Sequence, residues 1–344
     1  MGDIIHSLPA VAALRRAFPT AVIGWAVEDR WLDLLSSRAA LRDAQRSAAR
    51  PLVDVIHIVN TRSWRNRPLA PATWRNINEV VRELRGQKYD LAVDMQAAIR
   101  SAMLARFSRA PQRVGFAKPR ETPAKWFYTD CVPTPATHVV EQGLQLVQAI
   151  TNREPATAEF PLPCDSEANA WCADRLRELG VAEFVILSPG AGWGAKRWPA
   201  ERYAEVASRL RRESLAVLVN AGPGEEELAE RLIEASTGAA QRISCSLAQL
   251  IALTRRARMF IGGDTGPVHL AAALSVPVVA IYGPTNPARN GPFGPGGTND
   301  IIKVLRSPES RTSHARHAAP EEGLLQISAG QVCAAALSLL RANK

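Results

Sequence analysis

Residues 260–274 read FIGGDTGPVHLAAAL: an apolar run enters two glycines, then Asp264-Thr265-Gly266-Pro267, then a stretch of helix formers. The apolar run suits a buried strand. Asp264 and Thr265 are both good caps for the helix that follows, and Pro267 suits its first turn. A strand passing through a tight turn into a helix is the unit from which parallel sheets are built. The start of such a helix presents free backbone N–H groups and the positive end of its dipole, which suits a diphosphate. His269 lies four residues after Thr265 and shares its face. The same residues also suit an ordinary capped strand-turn-helix whose histidine lines the core.

The same unit recurs outward from this stretch. In the second half, strands read as Phe184 to Leu187, Leu215 to Asn220, Gln241 to Ser244, Met259 to Gly262 and Val276 to Tyr282, with helices between them. In the first half, strands read as Ala21 to Val27, Val53 to Val59, Tyr89 to Asp94 and Arg113 to Gly115. Helices there read as Pro9 to Ala17, Thr73 to Arg85, Ala97 to Phe107 and His138 to Ile150. This alternation predicts an α/β protein of two doubly wound, Rossmann-like domains. A chain of 344 residues exceeds what one core serves, and 47% apolar residues supply two. The stretch Thr151 to Ser166 carries three prolines and no periodicity, which makes it the linker. The expected domains are residues 1–158 and 159–344, the second closing on a helix through Val332, Ala335, Ala336, Leu339 and Leu340. Ligands of such sheets bind beyond the carboxyl ends of the strands, here in a cleft between the halves. Gly291 to Thr298 reads as a turn-rich loop and Ser307 to Glu322 as a polar, irregular segment.

Composition excludes several classes. No run of eighteen apolar residues and no basic-then-apolar leader occurs, so a cytoplasmic protein is expected. Cys131, Cys164, Cys172, Cys245 and Cys333 are scattered without a CxxC pair, which argues against a zinc site or a disulfide framework. His314 and His317 have no ligand-spaced carboxylate or thiol and read as a solvated loop. The formal charge of +9 calls for an anionic partner. Nucleic acid is disfavoured by the lack of zinc-finger spacing, an aromatic RNA-binding signature or a basic zipper.

Three further segments carry chemistry. Ser188 to Trp198, SPGAGWGAKRW, follows a strand and offers flexible backbone beside Lys196 and Arg197, suited to a pyrophosphate or to a plain basic loop. It is neither a Walker loop nor GxGxxG. Asn220 to Glu227, NAGPGEEE, follows a strand and opens a helix with acidic residues, of which Glu225 suits ribose hydroxyls or simple capping. Met1 to Pro9, MGDIIHSLP, leads into the first helix and puts Gly2-Asp3 in the loop ahead of it. A doubly wound domain has a strand before such a loop, so an upstream strand is expected and Met1 is not expected to be the natural start.

Taken in order and spacing, MGDIIHSLPA, the loop ending AKRWP, GPGEEE and GGDTGPVHLAAAL resemble the bacterial lipopolysaccharide heptosyltransferases, glycosyltransferase family 9, of GT-B fold. The likeness runs to about Gly294. HSLPAVAALRRAFP and DMQAAIRSAMLARF look closer to the first heptosyltransferase than to the second. The resemblance implies an ADP-heptose donor, a Kdo-lipid A acceptor, neither metal nor cofactor, and peripheral contact with the cytoplasmic face of the inner membrane. It implies Asp3 as catalytic base and Lys196 as the diphosphate lysine. Asp264, Thr265, Gly266 and His269 fall on the donor loop, Glu225 at the ribose acid and Cys245 on the adenine side. Ala191-Gly192 stand where relatives often carry Thr-Thr, so hydroxyl contacts there must be lost or replaced by backbone amides.

The acceptor is expected on the first half, with Arg62, Arg65, Arg67, Arg100, Arg120 and Lys125 as cations and Asp94 and Gln96 at a strand end. The planar fork of arginine pairs phosphate and carboxylate in bidentate fashion. Each of these arginines also suits a solvated surface. The chemistry implied is sugar transfer with inversion at the anomeric carbon. Its rivals are a family 9 transferase with another acceptor, such as the second heptosyltransferase, a sugar-nucleotide epimerase of the same architecture, and a non-enzymatic nucleotide-binding module.

Overall fold

The computed structural model describes residues 1–43, 45–154, 157–298, 300–313 and 317–343. The chain forms two compact units. One holds His6–Ala156 with Pro161–Pro163; the other holds Met1–Ile5, Thr157–Phe160 and Cys164–Lys344.

The first helix, α1 (Gly2–Ala17), is longer than the sequence suggests. The Met1 carbonyl accepts from the Ile4 and Ile5 amides at 3.0 and 3.1 Å, so the helix starts there and Asp3 sits in its first turn, not in a loop ahead of it. Pro9 lies inside the helix. There it removes one backbone donor, and its ring crowds the carbonyl one turn earlier.

In the N-terminal unit β1 (Gly24–Glu28) pairs in parallel with β2 (Val55–Val59). The buried guanidinium of Arg15 sets this pair by donating to the Leu52 carbonyl at 3.1 Å and the Ala21 carbonyl at 2.6 Å and pairing with Asp54. The Asp54 carboxylate also accepts from the Ile23 amide at 2.8 Å, which delays the strand to Gly24. The short helix α2 (Thr61–Asn66) and the amphipathic α3 (Pro71–Gly86) follow. Next come β3 (Leu91–Val93), α4 (Ile99–Phe107), β4 (Gln112–Phe116), β5 (Asp130–Val132) and α5 (Val139–Thr151). The strands β3, β4 and β5 form a second parallel sheet, separate from the first. Three residues reading DCV carry no alternation, which is why β5 is not evident from sequence.

The C-terminal unit runs α6 (Ser166–Glu178), β6 (Phe184–Ser188), α7 (Ala200–Arg212), β7 (Ala216–Val219), α8 (Glu226–Ala235), β8 (Gln241–Arg242) and α9 (Leu247–Arg256). It continues through β9 (Met259–Gly263), α10 (Gly266–Ala273), β10 (Val278–Tyr282), α11 (Pro287–Asn290), β11 (Ile302–Arg306), α12 (Glu322–Leu325) and α13 (Ala329–Ala342). Its strands form one parallel sheet in the order β11-β10-β9-β6-β7-β8. Alternate residues face opposite sides of a strand. Accordingly Val185, Leu187, Val217, Val219 and Ile261 pack with α7, α8 and α13, while Phe184, Ile186, Leu218 and Phe260 pack with α6, α9 and α10. Each such side chain contributes about 1.5–3 kcal/mol on burial. Both faces being covered explains why these strands read as continuous apolar runs.

The chain moves outward from β6 to β8 on one side, returns to β9, and moves outward to β11 on the other. Neighbouring strands β6 and β9 therefore flank a topological switch point, where open sheets leave a crevice beyond the strand ends. Ser188 pairs with Gly262 at that point. A Cβ on Gly262 would lie 3.0 Å from the Ser188 carbonyl oxygen, so a side chain there would crowd the two strand ends.

Candidate donor site at the strand ends

Three loops of the C-terminal unit, after β6, β9 and β10, bring distant residues into one cluster at the strand ends. Lys196, on the loop after β6, pairs through its Nζ with the Asp264 carboxylate after β9. Thr285, on the loop after β10, donates from Oγ1 to the same carboxylate at 2.7 Å. His269 Nε2, from the first turns of α10, stands 3.5 Å from the other Asp264 oxygen. The Lys196 and Asp264 side chains are 11% and 9% exposed, so their charges interact in a low dielectric. Lys196 Nζ also lies 4.0 Å from the centroid of the Trp193 ring.

Burial alone would raise the Asp264 pKa. The His269 hydrogen bond and charge, and the Lys196 ammonium, more than offset it and hold the carboxyl well below the usual carboxylate range. Asp264 is therefore not the helix cap that its position suggests. Thr265 occupies the cap position, and its hydroxyl donates to the Gly263 carbonyl at 3.3 Å instead of capping. No side chain at the cap position covers the Gly266 and Val268 amides in the first turn of α10, and Pro267 between them has none.

Glu225 sits at the cap position of α8, where its carboxylate accepts from the Gly222 amide at 2.9 Å. It packs against Gly190, at which a Cβ would fall 1.9 Å from a Glu225 oxygen. Gly190 thus lets the loops after β6 and β7 touch. Cys245 accepts a hydrogen bond from the Asn220 amide nitrogen at 3.2 Å, and burial pushes its thiol up to about 12. Ala191 is buried, and Gly192 is exposed with open space where a Cβ would be. Met1–Ile5 belong to this unit, and a Cβ on Gly2 would stand 3.2 Å from His269 Cδ2. Asp3 is the exposed residue that follows.

The residues expected from the sequence to meet the acceptor lie in the other unit. Arg62 and Arg67 line a cavity of about 440 Å³ with Glu28, Arg30 and Asn60. Arg65, Arg100, Arg120 and Lys125 are exposed. Asp94, by contrast, is buried at the end of β3 and accepts from the Gln96 and Ala97 amides at 2.9 and 3.1 Å. It also accepts from the Ser101 hydroxyl at 3.0 Å and the Tyr128 hydroxyl at 2.7 Å. Its carboxyl pKa is raised by burial, against the pull of those donors. Gln96 is half-buried. Asp94 therefore shapes the loop carrying Gln96.

Thr285, Asn220, Trp193 and Gly190 escaped the sequence reading. Thr285 was findable, because it follows an apolar strand just as Asp264 does, and such strand ends are where these sheets bind ligands. Among the described residues the five cysteines are free and no helix is long and apolar enough to cross a membrane. His314 lies outside the described residues.

Residues 77–320 match the family model "Glycosyltransferase family 9 (heptosyltransferase)". Lipopolysaccharide heptosyltransferase 1 of Pseudomonas aeruginosa is 30% identical over 303 residues, covering 86% of this chain and 79% of that protein. The enzyme of the same name from Escherichia coli K12 is 25% identical over 299 residues, covering 86% and 88%. The structure of E. coli heptosyltransferase WaaC superposes with a TM-score of 0.73 at 23% identity, covering 100% of this chain and 97% of that one. A family 9 glycosyltransferase from Veillonella parvula superposes with a TM-score of 0.80 at 22% identity, covering 99% and 95%. These likenesses give the GT-B fold, and the family match favours a transferase over the epimerase and binding-module readings. Three strand-end loops gathered on Asp264, on this fold and with this family match, mark the chain as a member of glycosyltransferase family 9, the heptosyltransferases.

Proposed function

We propose that the protein transfers heptose from ADP-heptose to the Kdo region of lipid A, with inversion at the anomeric carbon. In this reading residues 159–344 hold the nucleotide sugar and residues 1–158 hold the acceptor. Donor chemistry is supported by the buried Lys196–Asp264–Thr285 cluster at the switch point and by the WaaC relative, whose structure contains ADP-2-deoxy-2-fluoro heptose. Asp3 takes the proton of the acceptor hydroxyl, whose oxygen attacks the anomeric carbon. The bond from that carbon to the diphosphate oxygen breaks, and ADP leaves with the bonding pair. Lys196 and the first amides of α10 meet the growing charge as preorganised electrostatics, so no metal is required. Gly266 and Thr265 supply that backbone, and His269 holds Asp264. Glu225 accepts from the ribose hydroxyls, Cys245 lies toward the adenine, and amides of Ala191 and Gly192 replace side-chain hydroxyls.

On the acceptor side Arg62, Arg100 and Arg120 meet the phosphates and carboxylates of the glycolipid, with Gln96 beside them and Asp94 fixing the loop. Peripheral contact with the cytoplasmic face of the inner membrane is supported by exposed apolar side chains of the same unit: Leu69 at 90%, Trp126 at 75% and Trp74 at 57%. Aromatic side chains with a polar edge suit a membrane interface. The single observation that carries the proposal is the Lys196–Asp264 pair at the start of α10.

The test is incubation with ADP-heptose and Kdo-lipid A, with products weighed by mass spectrometry. The expected product is the acceptor heavier by one heptose, formed with ADP. Free heptose or an epimerised sugar nucleotide without acceptor gain would refute the reading. Gain only on an acceptor that already carries a heptose would favour the second heptosyltransferase activity.

A further inference from the structure

The polar segment after β11 has no repeat or periodicity, yet it is fastened to both loops whose side chains converge on Asp264. On the Lys196 loop, the Ala195 amide donates to the His317 carbonyl at 3.0 Å, and the Glu321 amide donates to the Ala195 carbonyl at 3.1 Å. The backbones are so close that a Cβ on Gly194 would lie 1.7 Å from the Ala318 carbonyl oxygen. Beyond Lys196, the Trp198 indole donates to the Ile327 carbonyl at 2.9 Å, and Arg202 donates to the Leu325 and Ile327 carbonyls at 2.6 and 2.7 Å. On the Thr285 loop, the Ser313 amide donates to the Pro284 carbonyl at 2.8 Å, and Arg306 donates to the Gly283 carbonyl at 3.1 Å.

Glu321 ties these contacts together. Its carboxylate accepts from the Ser310 hydroxyl at 3.0 Å, the Arg311 amide at 3.2 Å and the Leu324 amide at 2.8 Å. It also packs against Gly283, where a Cβ would lie 3.3 Å from a Glu321 oxygen. One acidic side chain thus joins the incoming segment, the start of α12 and the turn before Thr285, while its own amide holds Ala195. A flexible glycine loop would otherwise leave Lys196 free to swing on a long stem.

We propose that the segment His317–Ile327 is a strap that positions the Lys196–Asp264–Thr285 cluster, with Glu321 as its positioning residue. The proposal depends on the reading that Lys196 meets the donor diphosphate. Glu321 touches no substrate in this account. It acts by holding the loop in which Lys196 must stay within reach of the leaving group, where misplacement by about 1 Å can cost 10²-fold in rate.

A double-mutant cycle on the full chain tests this, with heptose transfer from ADP-heptose as the rate readout and ADP affinity and thermal stability measured alongside. Lys196→Ala should lower kcat about 100-fold. Glu321→Ala should lower kcat roughly 10-fold or more with the acceptor KM unchanged. The double variant should be no slower than Lys196→Ala alone, because the strap acts through that lysine. Gly194→Ala attacks the same contact from the loop side and should reproduce Glu321→Ala, and Glu321→Gln, which keeps one acceptor oxygen, should recover part of the rate. Multiplying losses in the double variant, or a Glu321→Ala enzyme at wild-type rate, would overturn the strap alone. Lys196→Ala at wild-type rate and ADP affinity would overturn the donor reading and the strap with it. If neither Glu321→Ala nor Gly194→Ala folds, the segment is purely structural and the proposal falls.

Discussion

The two candidate sites, one in each unit, treat charge in opposite ways. In the C-terminal unit one cation, Lys196, is nearly buried and already paired, and Asp264 gathers contacts from Lys196, Thr285 and His269. In the N-terminal unit Arg62, Arg65, Arg67, Arg100 and Arg120 are exposed. A buried pair in low dielectric is preorganised and insensitive to salt, while exposed charges are adaptable and screened beyond about 8 Å at physiological ionic strength. A small nucleotide sugar of fixed shape suits the first arrangement. A large phosphorylated glycolipid at a membrane suits the second.

The largest effect expected from breaking this division is at Asp3, which lies in sequence beside the N-terminal unit but belongs to the C-terminal one. Asp3→Asn should lower kcat by roughly 10²- to 10⁴-fold while ADP affinity is kept. A carboxylate in the first turn of a helix that serves only the dipole would instead cost about 0.3–1 kcal/mol of stability and leave turnover alone. Thermal melting, ADP titration and steady-state kinetics on one variant separate these outcomes.

Next in size is Asp264→Asn, which leaves the Lys196 ammonium without its counter-charge. Breaking such a nearly buried pair costs about 3 kcal/mol, and nucleotide affinity should fall with it. The sign of the pH dependence follows from the depressed folded pKa. The carboxylate's stabilisation is full above its ordinary value of about 3.9 and is lost as pH falls toward the lower folded value. The gap in melting temperature between wild type and Asp264→Asn should therefore hold at pH 7 and shrink below about pH 4. A gap that does not change with pH would contradict the pairing.

The smallest effect belongs to the exposed side. Arg62→Ala should raise the acceptor KM by a few-fold, about 1 kcal/mol at most, with kcat for bound acceptor unchanged. That loss should fade as salt rises, whereas the Asp264 effect should not. Initial rates across a salt series decide between them.

How much of this was legible depends on how local the signal is. The strands β6, β7, β9 and β10 read directly from apolar runs ending in serine, glycine or asparagine, and the doubly wound α/β class follows from their alternation with helices, while the GT-B name comes from the family resemblance. Lys196 and Asp264 each stood out on their own loops, but their pairing joins residues 68 positions apart and needs the parallel register of β6 with β9. The start of α1 is masked in the sequence because proline marks helix starts, and Pro9 lies seven residues inside this helix. Asp94 stands at a strand end in the sequence, yet Tyr128 and Ser101 hold its carboxylate in the interior through contacts no spacing reveals. The strand β11 and the segment around Glu321 were invisible for a related reason. Their order comes from backbone hydrogen bonds, to strand β10 for β11 and to other loops for the segment, which leave no pattern of side chains behind.

Hydrogen–deuterium exchange of the intact protein, with and without ADP, tests the division between the two units most directly. The account predicts that ADP slows exchange in the loops at residues 188–196, 220–225, 264–269 and 283–285, and leaves residues 60–67 and 96–100 as they are. Protection of residues 60–67 by ADP, with the four strand-end loops unchanged, would contradict it.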